Sequence, residues 1–71
     1  MEEIQISTET IQLNQALKLA GVLQTGGEIA RLIEAGAIQL NGKPVSEKRK
    51  QLHDGDILLV GDDAYYRICR K

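Results

Sequence analysis

The sequence predicts one small α+β domain, two short helices packed on a mainly antiparallel β-sheet. Three observations predict it. Apolar residues recur at helical spacing in two early stretches, Leu13-Ala16-Leu17-Ala20 and Ile29-Leu32-Ile33. The later half alternates short apolar runs with turn signals at Asn41-Gly42, Asp54-Gly55 and Gly61-Asp62. The chain has 71 residues with one Cys, no Trp and no Phe. It therefore predicts a single domain over 1–71, with an aliphatic core and no internal disulfide. A chain this short buries only about 60% of its unfolded surface, so the core has little margin.

The elements follow in order. Ile4 and Ile6 alternate with Gln5 and Ser7, which predicts a strand over 3–7. Ser7-Thr8-Glu9 is a break, and Ile11 leads into the first helix. Leu13, Ala16, Leu17 and Ala20 put one apolar stripe on that helix, and Gly21 ends it. Val22 and Leu23 are apolar in a connection and are expected to plug the gap between the helices. Thr25 with Glu28 three residues on is a capping box. The hydroxyl accepts the Glu28 N–H, and the carboxylate is expected to reach back to the Thr25 N–H. The second helix then runs from about 26 to 35 and stops at Gly36. Ile38 and Leu40 alternate in a strand over 37–41, and Asn41-Gly42 is a hairpin turn, because both residues tolerate positive φ. Pro44 has no N–H for a ladder, so the return strand is short or at an edge. Ser46 to Lys50 reads as a charged loop, and Leu52 leads into the turn 53–56. Ile57 to Val60 is a buried strand. A last strand over 64–69 sets Tyr66 and Ile68 on one face and Tyr65, Arg67 and Cys69 on the other.

Composition excludes several classes. No run approaches the ~20 apolar residues of a membrane helix. The start, Met1-Glu2-Glu3, lacks a signal-peptide pattern, so a reducing cytoplasm is expected. Catalysis lacks parts. The single histidine, His53, sits in a turn with no nucleophile assigned to it. Cys69 lies in a terminal strand and reads as a small structural residue, although Arg67 and Arg70 could lower its pKa. Asp54, Asp56, Asp62 and Asp63 read as turn formers, since a calcium loop needs more ligands at fixed spacing. No enzyme, metal or cofactor is expected.

Charge is segregated. Nine cations face ten acids, for a net −1. Yet residues 43–50 hold Lys43, Lys48, Arg49 and Lys50 against Glu47 alone, and the last five residues hold Arg67, Arg70 and Lys71. The acids cluster at the start and in the late turns, so a basic face is available despite the neutral sum. Thr25-Gly26-Gly27 at a helix start offers unblocked backbone N–H groups to an anion. A plain cap and tight turn accounts for the same residues, and Glu28 competes with an anion there. A charge run such as 48–50 is by itself usually a solvated loop.

Residues 13–60 resemble a known family, the RNA-binding domain named after ribosomal small-subunit protein S-four. The resemblance rests on Leu13-Asn14-Gln15-Ala16-Leu17-Lys18, on Ala30 through Val45, and on Leu52-His53-Asp54-Gly55-Asp56-Ile57. Ala20 through Glu28 is similar to a bacterial subgroup in which the domain stands alone at about this length. The resemblance implies an S-four-like alpha-L motif whose two helices and hairpin form one RNA-gripping face. It implies convergence of Lys18, Thr25, Gly26, Gly27, Arg31, Lys43, Lys48, Arg49 and Lys50. The implied partner is structured RNA, ribosomal or transfer RNA or an assembly particle, bound by a monomer that also recruits a protein partner or acts alone.

The chain departs from the family at two positions. Many members carry Ser-Arg where Gly26-Gly27 stands, and Arg where Gln12 stands. Two commonly cationic positions are neutral, which implies weaker binding or a narrower choice of RNA. The rival is a protein-interaction module on the same fold that has lost its RNA, in keeping with the acidic pI of 5.7. A sulfur carrier would end in Gly-Gly, whereas this sequence ends Arg70-Lys71.

Overall fold

The computed structural model describes residues 1–22 and 25–71. Nine elements follow one another: β1 Glu2–Ile6, β2 Thr10–Gln12, α1 Leu13–Leu19, α2 Gly26–Glu34, β3 Ile38–Leu40, β4 Lys43–Pro44, β5 Gln51–His53, β6 Ile57–Val60 and β7 Ala64–Arg70. Five strands form one sheet in the order β1-β7-β6-β3-β4, and β2 pairs with β5 in a second, two-stranded sheet. All pairs are antiparallel except β1 with β7, which run parallel with Ile4 opposite Ile68. The α+β class and the mainly antiparallel sheet are as the sequence predicts.

Strand β7 is the spine. It pairs with β6 from Ala64 to Arg67 and with β1 from Tyr66 to Arg70. Beyond Arg67 its other edge meets the 54–56 turn. Gly55 N–H donates to Ile68 O at 2.7 Å, Ile68 N–H donates to Asp56 O at 2.9 Å, and Arg70 N–H donates to the Asp54 carboxylate at 2.7 Å. Asp54 thus completes the edge of a strand, a more specific task than forming a turn.

The helices end alike. In α1, Val22 N–H bonds Leu17 O and Gly21 N–H bonds Lys18 O; in α2, Ala37 N–H bonds Leu32 O and Gly36 N–H bonds Ile33 O. Both are paired closures with a left-handed glycine, φ 71° at Gly21 and 69° at Gly36, which a side chain would strain. Val22 packs partly buried against the core, as expected of a plug; Leu23 lies outside the described residues.

The core is wholly aliphatic. Ile4, Ile6, Leu13, Ala16, Leu17, Ile29, Ile38, Val45, Leu52, Leu58 and Ile68 are buried and form one cluster, to which both helices and both sheets contribute. Tyr66 packs partly buried against this cluster, while Tyr65 faces out.

Ile11 leads into α1 and Leu52 into the 53–56 turn as the sequence predicts, but both also sit in short strands that patterning does not find, and they pair directly across β2 and β5. Three-residue strands carry too little alternation to be seen, and their partners are about forty positions apart. Burying Leu52 completely is the packing gain that holds them.

Candidate nucleic-acid interface

The N-terminus of α1 lacks a side-chain cap, because Gln12 stands at the cap position and makes no such bond. Backbone carbonyls of a remote loop serve instead. Lys50 O accepts from Leu13 N–H at 2.8 Å, and Lys48 O accepts from Asn14 N–H at 3.0 Å. A further bond, Lys50 N–H to Glu47 O at 3.2 Å, tightens the loop. Two of the helix's unpaired donors are thereby satisfied. The consequence for the surface is that the carbonyls point inward and the chain of three cations, Lys48, Arg49 and Lys50, is fixed at the start of α1 with all three side chains exposed.

The β3–β4 hairpin brings the fourth cation. Asn41 takes φ 52° and Gly42 φ 86°, the tight turn that Asn-Gly predicts. Lys43 follows the turn and shares a cleft of about 570 Å³ with Lys50, the walls being the hairpin on one side and the 46–50 loop on the other. Sequence patterning identifies Asn41 as a turn residue but misses its second task. Its side-chain carbonyl accepts from Ile57 N–H at 3.0 Å, and its amide donates to Asp56 at 3.1 Å. Asp56 in turn accepts His53 N–H at 2.7 Å. The hairpin is therefore bolted to the turn before β6.

Lys18 is exposed on α1, five residues beyond Leu13 and roughly 7–8 Å along the axis. Thr25, Gly26 and Gly27 form the start of α2, and Arg31 lies in its last turn. Thr25 is extended and its hydroxyl accepts from Glu28 N–H at 3.3 Å. The other half of the capping box differs from expectation: the Glu28 carboxylate accepts from the Thr25 hydroxyl at 3.4 Å in place of the backbone N–H. Lys43, Lys48, Arg49 and Lys50 are thus gathered by the backbone. Among the described residues, no hydrogen bond or ion pair ties Lys18 or the α2 group to them.

The C-terminal cations are differently placed. Arg67 Nη2 lies 2.6 Å from Glu3 Oε2, and Arg70 lies 4.0 Å from Glu9. Hydrogen bonding to Arg67, reinforced by its charge, holds the Glu3 carboxyl below the usual carboxylate range and raises the Arg67 guanidinium. Acids from the first strand and the loop after it therefore neutralise the last strand. The third ion pair among the described residues, His53 with Asp56 at 3.7 Å, forms only when the imidazole is protonated. None of the three uses Lys18, Arg31, Lys43, Lys48, Arg49 or Lys50. Among the described residues, no helix is long and apolar enough to cross a membrane.

Comparison with known proteins agrees with this architecture. The S4 domain family matches residues 4–69. A Bacillus subtilis protein named "Probable ribosome maturation protein RlbA" is 36% identical over 57 residues, 80% of each chain. A tyrosine–tRNA ligase of Nitrosospira multiformis is 35% identical over 57 residues, which span 80% of this chain and 14% of the ligase.

Proposed function

The chain belongs to the S4 domain family, and from that premise we propose that it binds structured RNA, in ribosome-related assembly, without catalysing a reaction. The observation that carries this is the partition of its cations. Arg67 and Arg70 face acids, whereas Lys43, Lys48, Arg49 and Lys50 are held together without acid partners among the described residues. Positive charge on a loop anchored by its backbone, and without ion-pair partners among the described residues, is what phosphate contacts need. The names of the two relatives, one a ribosome maturation protein and one a ligase of transfer RNA, support the same class of partner.

Lys18, Arg31 and the Thr25-Gly26-Gly27 helix start extend the interface across both helices. The mode is shape reading through phosphates and 2′-hydroxyls. Stacking is poorly supplied, because adjacent Tyr65 and Tyr66 face opposite sides of β7 and only Tyr65 is well exposed, at 45%. The protein acts as a cytoplasmic monomer in this scheme.

Fluorescence anisotropy with a labelled structured RNA tests it. Four to six phosphate contacts give a log–log salt slope on the order of −3 to −5. A variant with Arg31, Lys48, Arg49 and Lys50 all changed to Gln loses most of the affinity and most of the slope. Absence of binding by the native chain at low salt sinks the proposal.

One observation favours a protein partner as the second reading. At the other end of the sheet, Glu2 and Asp63 line a cleft of about 310 Å³ beside exposed Met1 and Tyr65. If polyanion competition leaves the natural partner bound, this second reading replaces the first.

A further inference from the structure

The cleft between the β3–β4 hairpin and the 46–50 loop is more than a gap between two basic elements. Its volume, about 570 Å³, lies within the range of cavities that hold small organic ligands. Its lining is mixed. Leu40, Pro44 and Val45 supply apolar surface, Lys43 and Lys50 supply charge, and Ser46 and Glu47 supply acceptors. Both walls are fixed before any ligand arrives. Val45 N–H bonds Ile38 O at 3.0 Å and Asn41 is held by Asp56 and Ile57, while Lys50 is held through its carbonyl by Leu13.

We infer that this cleft receives one unpaired nucleotide extruded from a bulged RNA helix, with Lys43 and Lys50 on the flanking phosphates. The inference rests on the RNA-binding function proposed above and specifies the form of RNA. A continuous duplex offers no protrusion to enter a concavity, whereas an unstacked base does, and extrusion costs least where the base is already unpaired. The apolar wall of Leu40, Pro44 and Val45 suits a base face. Two lysines against one carboxylate leave the cleft net positive, so the phosphates are tolerated. Glu47 accepts hydrogen bonds only, so it favours a base with an exocyclic amino group, guanine, adenine or cytosine, over uracil.

The test uses an RNA hairpin with a single bulged 2-aminopurine and its fully paired counterpart, by anisotropy and by 2-aminopurine fluorescence at fixed salt. The native chain binds the bulged hairpin about tenfold or more tightly than the paired one, and the fluorescence changes on binding. Ser46→Leu, which fills the cleft from an exposed position, erases that preference and the fluorescence change while keeping paired-hairpin affinity within about twofold. A Lys48→Gln, Arg49→Gln variant, altered outside the cleft lining, weakens both hairpins in equal proportion. Equal affinity of the native chain for both hairpins overturns the inference and leaves RNA binding standing. Failure to bind either hairpin at low salt overturns both. Full displacement of the fluorescent signal by adenosine monophosphate at concentrations comparable to the RNA shows a free-nucleotide site and overturns an RNA-borne occupant.

Discussion

Asn41 and Asp56 meet at 3.1 Å, side-chain amide to carboxylate, across the fifteen positions that separate the hairpin turn from the start of β6. The same Asn41 holds a left-handed backbone, φ 52°, and accepts Ile57 N–H. Backbone strain and two side-chain bonds therefore fall on one residue, and substitutions separate them. Asn41→Gly keeps the backbone and loses the bonds, at a cost of about 1–2 kcal/mol. Asn41→Ala adds the left-handed penalty, roughly 1 kcal/mol more. Urea denaturation of these two variants and of an Asn41/Asp56 double-mutant cycle measures the terms, with a coupling of about 0.5–1.5 kcal/mol expected. Equal midpoints for the Gly and Ala variants would show that φ at residue 41 costs nothing.

The two basic clusters differ in what they face, and RNA affinity should tell them apart. Lys48→Gln with Arg49→Gln lowers affinity about tenfold or more near 100 mM salt and makes the salt slope less negative by about two. Arg67→Gln with Arg70→Gln changes affinity by no more than about twofold, because those charges already meet Glu3 and Glu9. Titrations at three salt concentrations suffice, and an equal loss from both pairs rejects the partition.

Glu3 offers a pH signature. Its carboxyl is held low by the hydrogen bond and charge of Arg67. A carboxyl lowered on folding adds stability that is fully present above the ordinary Glu value, about 4.3, and is lost as pH falls through the lowered folded value. Both groups are solvent-exposed, so the effect on overall stability is small. NMR titration is the direct readout. Glu3 titrates below the ordinary glutamate range in the native chain, and Arg67→Gln brings it back up to that range.

Two glycines make opposite predictions. At Gly36, φ is 69° and an added Cβ meets no atom within 4 Å, so Gly36→Ala costs only the backbone term, about 1 kcal/mol. At Gly27 no left-handed backbone is required and the nearest atom to a Cβ is Thr25 Oγ1 at 4.0 Å, so Gly27→Ala stabilises by about 0.5–1 kcal/mol. Thermal melts decide both. A loss of RNA affinity by the more stable Gly27→Ala chain would locate a phosphate at the α2 start, and unchanged affinity would leave Thr25-Gly26-Gly27 as a cap alone.

The features legible in the sequence are those whose causes are local. The Thr25 cap, the glycines closing both helices and the Asn41-Gly42 turn each depend on residues within a few positions, so patterning finds them. It also finds the aliphatic core, because the chain has no Trp or Phe to bury. What patterning misses involves distant partners. The cap on α1 is made by carbonyls of Lys48 and Lys50, which any residue type carries. The β2–β5 pair, the parallel register of β1 on β7 and the pairing of Arg67 with Glu3 join positions thirty-nine to sixty-four apart. For the interface, residue types mark the cations, but only the fold shows which of them already have acids beside them.

The parallel pairing of β1 with β7 also orders events in time. The domain's first strand is completed by its last, since Ile4 stands opposite Ile68 and Ile6 opposite Arg70. Loop closure over that span comes before any reward from the contacts it enables. Helices and hairpin can form while synthesis continues, but Ile4 and Ile6 stay in water until residue 70 has emerged. The domain therefore closes only after release of its final strand, and a nascent chain stalled near residue 60 carries the cations of the 43–50 segment with its first strand still unpaired.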